Sequence, residues 1–255
     1  MKITTIAAVG LLSAGAAGAV PFDLAFNVPD AATDGQRALL AGAESFWESV
    51  LVSYRDGLAV DVVVVDVFAR EIDGAGGTLA SAGPTFVSDQ IAADGTPYVL
   101  ATDGEVEFDI ADLDTQSEAL LFATLVHEIA HVLGFGTLWE DNGLYVRGSG
   151  RYTGAEGVAA YRAEFGAVDS FVPAELDGGP GSIDAHWDDG WLGPDNELML
   201  AEAVDDALVV SRTTVASFRD LGFVTFDQIA PIPLPAGMWL TIGAFGLLAG
   251  LRRRR

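Results

Sequence analysis

The sequence contains no cysteine and only three histidines in its 255 residues. Without cysteine the chain forms no disulfide, so its hydrophobic core and any bound metal must supply its stability. A metal site in this chain must use histidine and carboxylate ligands, because thiolates are absent.

Basic residues are also scarce. Lysine and arginine number 13 against 37 aspartates and glutamates, which gives a formal net charge of −24. Five of the 13, Lys2 and Arg252 to Arg255, lie at the two ends, so the part between them carries 8 − 37 = −29 charges and no lysine. Such a surface repels phosphate backbones, which excludes nucleic acid as a partner. It suits a saline exterior or bound Ca²⁺, and composition does not choose between the two.

The first 19 residues have the layout of a secretory signal peptide. Lys2 precedes an apolar run from Ile6 to Leu12, and small residues then lead to Ala17-Gly18-Ala19, an A-x-A pattern. The pattern predicts export and cleavage after Ala19, with a buried first helix as the alternative interpretation.

Residues 229–255 have the layout of a membrane-associated tail. In residues 231–235, proline alternates with isoleucine and leucine. An apolar stretch of sixteen residues, 236–251, and four arginines follow. At about 1.5 Å per residue that stretch spans roughly 24 Å, short of the ~30 Å hydrocarbon core, which favours a transient anchor. The tail resembles C-terminal sorting signals of the PEP-CTERM type, above all a variant with a Pro-Leu-Pro-Ala core. The resemblance implies removal by a sorting enzyme during export; a plain tail anchor is the alternative.

Residues 20–228 show no internal repeat and no clear linker, and so predict one domain with an irregular insertion at about 138–182. Periodicity predicts helices at 38–54, 120–133, 158–165 and 205–221, and a buried strand at 58–68. An edge strand or loop is expected at 79–87, and two short strands, broken at Asp103-Gly104, at 98–110. Helix 120–133 is apolar on nearly every side, which is typical of a buried helix. Thr115 and Glu118 predict a capping box before it, and Gly134 a left-handed end.

His127-Glu128-Ile129-Ala130-His131 is an H-E-x-x-H motif on that buried helix. A spacing of four residues puts both imidazoles on one face, about 6 Å apart at the backbone, which suits two ligand positions of tetrahedral zinc. Glu128 would lie beside the metal, where its carboxylate can act as general base toward a bound water. The alternative is a helix that merely buries these side chains, which is disfavoured because burying an unpaired charge is costly.

A catalytic zinc site needs a third protein ligand. From the residues alone, the candidates are His186, the last histidine, and carboxylates such as Glu156 or Glu164. Three ligands would leave one position open to water, whose pKa zinc lowers to about 7.

The run from His127 to Phe135 (HEIAHVLGF) resembles the zinc helix of metzincin peptidases. Most metzincins place the third histidine six residues after the second, where this chain has Thr137, whereas the leishmanolysin family inserts a long segment first. Here His186 follows His131 by 186 − 131 = 55 residues. His186-Trp187 and Asn196-Glu197-Leu198-Met199 also resemble that family's third-ligand and Met-turn region. Segments 79–84, 106–109 and 211–223 resemble its flanking strands and closing helix.

The resemblance implies an α+β, metzincin-like zinc peptidase domain with a twisted mixed sheet, a buried active-site helix and a Met-turn. It implies that His127, His131 and His186 bind one Zn²⁺, that Met199 forms an apolar floor beneath the ion, and that Glu128 is the general base. The expected protein is an exported endopeptidase, extracellular or at the cell surface, that acts on proteins or peptides and contacts the membrane transiently through its tail. Eukaryotic members are rich in disulfides, so the insertion of this chain must be ordered differently.

A second hypothesis is a surface adhesion or structural module in which zinc only stabilises the fold. A structural site would require a fourth protein ligand, and a glutamate directly after the first histidine favours the enzyme. Asp109, Asp112 and Asp114 offer the oxygen ligands of a Ca²⁺ site, with a solvated helix entry as the alternative interpretation.

Overall fold

The computed structural model describes residues 19–28, 32–113, 115–179, 181–201 and 209–226. Five helices form within them: α1 Asp34–Val50, α2 Ile110–Leu113, α3 Glu118–Val132, α4 Ala155–Phe165 and α5 Arg212–Asp220. The strands are β1 Leu24–Asn27, β2 Leu51–Tyr54, β3 Val63–Arg70, β4 Ala80–Ile91, β5 Pro97–Asp109, β6 Arg151–Tyr152, β7 Val172–Pro173 and β8 Phe223–Thr225.

The ends of the chain lie outside this description. The predicted tail at 229–255 and the predicted signal peptide, apart from Ala19, are not among the described residues. Across the described ranges, none of the helices combines the length and the apolar character needed to cross a membrane.

The central sheet is twisted and mixed, with four strands in the order β1-β3-β5-β4. Strands β1, β3 and β5 run parallel, and β4 runs antiparallel to β5 at one edge. Helix α3 packs against β4 and β5, while α1 packs against β1 and α3. The α+β class predicted from the sequence is confirmed.

Helix α1 has a complete capping box, in which the Thr33 side chain accepts from the Gln36 backbone and Gln36 reaches back to Thr33. Its buried face includes Trp47, whose indole N–H donates to the Val126 carbonyl of α3 at 3.1 Å. The predicted extension of this helix to residue 54 was wrong. Leu51–Tyr54 leaves the helix as β2 and pairs antiparallel with β8, a partner about 170 residues away that local periodicity cannot reveal.

Strand β5 is continuous, so the predicted break at Asp103-Gly104 was wrong. Gly104 lies where the last turn of α3 crosses the sheet, and a Cβ there would come within 2.3 Å of the Val132 side chain. The glycine marks a close approach of helix and strand and not a turn. Strand β4 is longer than predicted, and its register shifts at Pro84 to Val87 let a proline sit in an edge strand.

The cap of α3 also differs from the prediction. Ser117, not Thr115, is the N-cap: its hydroxyl accepts from the Leu120 N–H at 3.1 Å, while Thr115 donates to the Asp112 carbonyl. After the helix, Gly134 has φ +108, as the expected left-handed end requires. The predicted helix at 158–165 is α4, which begins three residues earlier. The predicted helix at 205–221 was too long at its start: among its described residues, 209–211 are not helical, because Val209 bridges to Glu197 and Ser211 is the N-cap of α5.

The insertion is held by packing instead of disulfides. Trp139 stacks on Trp187 with ring centroids 5.2 Å apart, and Tyr152 packs against both rings. Asp220 at the end of α5 accepts from the Tyr152 hydroxyl at 2.9 Å and from the first backbone N–H groups of α4. These contacts bind the chain after α3 to the segment that carries His186.

Candidate metal centre

Helix α3 places His127 and His131 one turn apart on the same face, with ring centroids 4.7 Å apart. The helix is buried nearly all round, with His131 buried and His127 partly exposed at the side where the metal group lies. Its apolar neighbours, Val126, Ile129 and Ala130, pack into the core and fix the rotation of the helix. The orientation of the pair therefore follows from the packing of α3.

His186 comes from a segment outside regular structure, yet its backbone is tied on both sides. The His186 carbonyl accepts from the Glu175 N–H at 3.0 Å, and the next residue, Trp187, donates its N–H to the Met199 carbonyl at 3.0 Å. The Trp187 ring is fully buried, and its indole N–H donates to the Thr214 hydroxyl at 2.8 Å. This tryptophan anchors the segment, which brings His186 to the helix pair.

The three Nε2 atoms converge. The Nε2 of His127 lies 3.0 Å from those of His131 and His186, which are 3.1 Å apart. Each Nδ1 faces a backbone carbonyl: His127 that of Leu198 at 2.6 Å, His131 that of Phe135 at 2.8 Å, and His186 that of Ser182 at 3.0 Å. A carbonyl oxygen only accepts, so each Nδ1 carries the proton and each Nε2 presents a lone pair.

Burial keeps these imidazoles neutral. It lowers the pKa of all three, that of His186 to about 3, and the neighbouring histidines lower the pKa of His131 and His186 further. Three neutral rings that point lone pairs at one another repel unless a cation lies between them. Tetrahedral nitrogen ligands about 2.1 Å from zinc are about 3.4 Å apart, close to the spacing found here.

Zinc therefore fits this donor set. Among the described residues, these histidines form the only group of three or more histidine, aspartate or glutamate side chains close enough to share a metal ion. The predicted candidates His127, His131 and His186 are brought together. Two alternatives for the third position are occupied elsewhere: Glu156 pairs with Arg219 at 3.5 Å, and Glu164 accepts from the backbone N–H groups that open α5.

Glu128 lies beside His127 on α3 and is 6% exposed. Within the described chain no group donates a hydrogen bond to its carboxylate. Burial raises the pKa of Glu128 to about 8, and a nearby cation would lower it again. The charge state of this buried carboxyl group therefore depends on whether a cation occupies the histidine cluster beside it.

Met199 is fully buried in the segment that follows His186. The residue before it, Leu198, supplies the carbonyl that binds His127, and Glu197 accepts the Met199 N–H at 2.6 Å. Burial raises the pKa of the Glu197 carboxyl, and hydrogen bonds from Thr214, Met199 and Ser211 oppose that shift. Glu197 has no role predicted from the sequence, because an acidic residue among 37 carries little information by itself.

The aspartates considered for Ca²⁺ make other contacts. Asp109 accepts from four backbone N–H groups: Ala111 at 2.8 Å, Ile72 at 3.3 Å, Asp73 at 2.9 Å and Gly74 at 2.8 Å. These bonds lower the pKa of Asp109. Asp112 accepts from the Gly76 N–H at 2.9 Å, and Asp114 lies outside the described residues. Asp109 and Asp112 hold the loop between β3 and β4, and Ca²⁺ binding stays a prediction.

The family model of leishmanolysin peptidases (Peptidase M8) matches residues 85–231, which is more than half of the chain. The chain belongs to the leishmanolysin family. The matched leishmanolysin region contains α3 with both helix histidines, the insertion, His186, Met199 and α5, and it largely coincides with the resemblance seen in the sequence. None of the curated proteins compared with the chain matches it.

Membership makes this protein a leishmanolysin-like metallopeptidase, that is, a hydrolase of a family that depends on zinc and acts on proteins or peptides. The family resemblance stated from the HEIAHVLGF run is thereby confirmed. The histidine cluster is the part of this chain where a metal ion fits.

Proposed function

We propose that the chain is a zinc-dependent endopeptidase in which His127, His131 and His186 hold the ion and Glu128 is the general base. The observation that carries the proposal is the convergence of three Nε2 atoms within 3.1 Å, next to a buried glutamate on the same helix. Met199, fully buried and next to Leu198, whose carbonyl binds His127, is proposed as the apolar floor of the site.

Zinc in this position would supply Lewis-acid activation of water and of the scissile carbonyl group. Glu128 accepts a proton from the attacking water at its carboxylate and then passes that proton to the leaving amine. The Leu198, Phe135 and Ser182 carbonyls hold the imidazole rings in one tautomer throughout. Burial of Glu128 keeps competing water away from the proton that it carries.

The substrate would bind as an extended strand along β4. This strand is at the edge of the sheet, so its outer N–H and C=O groups can pair with a peptide. A Cβ added at Gly83 of β4 would lie 4.0 Å from the Thr137 side chain, in the turn that follows α3. The Thr137 hydroxyl donates to the His131 carbonyl at 2.5 Å, so a peptide added to β4 at this point would pass near the end of the histidine helix.

A structural zinc site is disfavoured by the ligand count. A closed structural site uses four protein ligands, and the cluster in the described part of the chain has three members. An open fourth position leaves room for water, which is the arrangement of catalytic zinc sites.

The deciding experiment is the substitution Glu128→Gln, with zinc content and casein cleavage as readouts. The amide keeps the shape of the side chain but does not accept the proton, so we expect full zinc occupancy and at least a hundredfold lower turnover. Glu118→Gln, the same change at the exposed first turn of α3, is the control and should leave both readouts unchanged. Near-normal turnover of the Glu128 variant with full zinc would rule out its role as base.

We also propose that this catalytic domain works outside the cytoplasmic membrane. The proposal rests on the signal-peptide pattern at residues 1–19, the acidic central part of the chain and the arginine-ended tail at 229–255. The short apolar stretch of the tail favours its removal by a sorting enzyme over lasting anchorage.

A further inference from the structure

Glu197 is 2% exposed, and its buried carboxylate has no part in the proposed reaction. Its Oε1 accepts from the Ser211 backbone N–H at 3.1 Å, from the Ser211 hydroxyl at 3.0 Å and from the Thr214 hydroxyl. Its Oε2 accepts from the Met199 backbone N–H at 2.6 Å. The two oxygens therefore tie segment 197–199 to the N-terminus of α5.

Burying a charged carboxylate is unfavourable unless hydrogen bonds replace its lost hydration. Here four donors from two segments do so, and the N-terminus of α5 adds a favourable helix dipole. The N-cap of α5 is already provided by the Ser211 hydroxyl, which accepts from the Thr214 N–H at 3.0 Å. Capping the helix therefore does not by itself require Glu197, and the bond to Met199 is its distinctive contact.

Leu198 lies between Glu197 and Met199, which this hydrogen bond connects. Its N–H donates to the Val209 carbonyl at 2.7 Å, and its carbonyl accepts the Nδ1 proton of His127 at 2.6 Å. The Leu198 carbonyl and the Met199 N–H belong to the same peptide group. Because Glu197 accepts the Met199 N–H, this peptide group cannot rotate freely. The direction of that carbonyl fixes the ring of His127.

We propose that Glu197 is a positioning residue: through the Leu198 carbonyl it holds the His127 ring in the orientation that binds the metal. The inference rests on the proposed function, since it takes the histidine cluster as the zinc site. Glu197 touches neither the histidines nor a reacting group, so its effect passes through the backbone of residues 198 and 199.

The test compares Glu197→Gln with a matched control, Glu164→Gln. A carboxamide at 197 must turn its NH₂ group either toward the Met199 N–H or toward the three donors at α5, so at least one bond is lost. Glu164 also accepts at the start of α5, from the Arg212 N–H at 3.2 Å and the Thr213 N–H at 3.0 Å, but it does not contact segment 197–199. Both variants should lower the melting temperature of the metal-free protein.

Only Glu197→Gln should change the metal site. We expect it to release zinc to a chelator roughly tenfold faster than wild type and to shift the visible absorption of the cobalt-loaded protein, as changes to residues that orient metal ligands do. Zinc release at the rate of the Glu164 variant, with an unchanged cobalt spectrum, would overturn the inference. A wild type that binds no zinc would instead defeat the proposed function itself, which keeps the two failures apart.

A second variant covers the case in which Glu197→Gln does not fold. Ser211→Ala leaves Glu197 in place but removes one hydroxyl donor from its carboxylate, together with the N-cap of α5; the Glu164 variant, which also loosens the start of α5, controls for the loss of the cap. Zinc release about threefold faster than in Glu164→Gln would support the inference, and an equal rate would overturn it.

Discussion

His186 illustrates how one residue can depend on a distant part of the chain. His186 follows His131 by 55 residues along the chain, yet it lies against the two helix histidines. The buried Trp187 beside it fixes its position. We expect His186→Ala to weaken zinc affinity by at least a hundredfold and to lower the melting temperature in the presence of zinc, because two histidines leave the ion under-coordinated. Zinc titration with a competing chelator measures the affinity.

Glu164→Ala and Glu156→Ala are the controls for this prediction. Their carboxylates bind the start of α5 and Arg219, away from the cluster, so zinc affinity should stay unchanged. Loss of zinc from either variant, with zinc retained by His186→Ala, would show that the third ligand is a carboxylate.

Asp109 gives a prediction about pH. Its four backbone donors lower its pKa in the folded protein, so its stabilising contribution is complete above the ordinary aspartate pKa of about 3.9. The contribution is lost as the pH falls through the lower, folded-state pKa. The free energy of unfolding of wild type should therefore exceed that of Asp109→Asn at pH 7, and the difference should shrink below about pH 4. Urea unfolding of both proteins at several pH values checks this, and parallel curves would contradict it.

The sequence was informative about residue types that occur only a few times in it, above all histidine. With three histidines in 255 residues, the positions of His127 and His131 on one helix face followed from their spacing, and the structure brings His186 to them. It was silent on Glu197 and on the carbonyl partners of the imidazoles. These contacts depend on backbone positions that distant segments determine, and an acidic residue among 37 carries little information by itself.

At the scale of elements, the crossing of α3 over β5 is the contact that fixes the height of the histidine helix above the sheet. Gly104 lets the strand come close to Val132, the residue after His131. Gly104→Ala should clash with that side chain and reduce stability by about 1–3 kcal/mol. This corresponds to a melting temperature roughly 2–12 °C lower, measured by calorimetry.

Gly179→Ala is the control for this crossing. A Cβ at Gly179 meets no atom within 4 Å, and its φ is not positive, so the melting temperature should stay within about 1–2 °C of wild type. An equal effect of both substitutions would mean that the loss of backbone flexibility, and not the clash, is responsible.

The elements that sequence periodicity predicted well are those with a strong local pattern, such as the buried α3. Short strands were missed where their pairing is long-range: β2 was assigned to the helix before it, and β1, β6, β7 and β8 were not identified. Gly104 was interpreted as a break because a glycine that makes room for a helix and one that turns the chain look identical in sequence.

At the scale of the whole molecule, the charge distribution and the two ends predict where the protein works. The arginine cluster, Arg252 to Arg255, should stay on the cytoplasmic side while the domain is exported, and a sorting enzyme should then remove it. Intact-mass analysis of the exported protein should find a species that begins at Val20 and lacks the four arginines. A mature species that still carries them would leave a tail-anchored peptidase.

The Nδ1 atoms of all three histidines bind main-chain carbonyls, those of Leu198, Phe135 and Ser182, and no side-chain oxygen. The hydrogen bonds that orient the imidazoles thus do not use the side chains of the residues that supply them. Substitutions at 135, 182 or 198 that leave the backbone in place can accumulate without turning a ring. The same arrangement makes the site intolerant of insertions or deletions near these positions, because a register change of one residue would move the carbonyl away from the ring nitrogen that it binds.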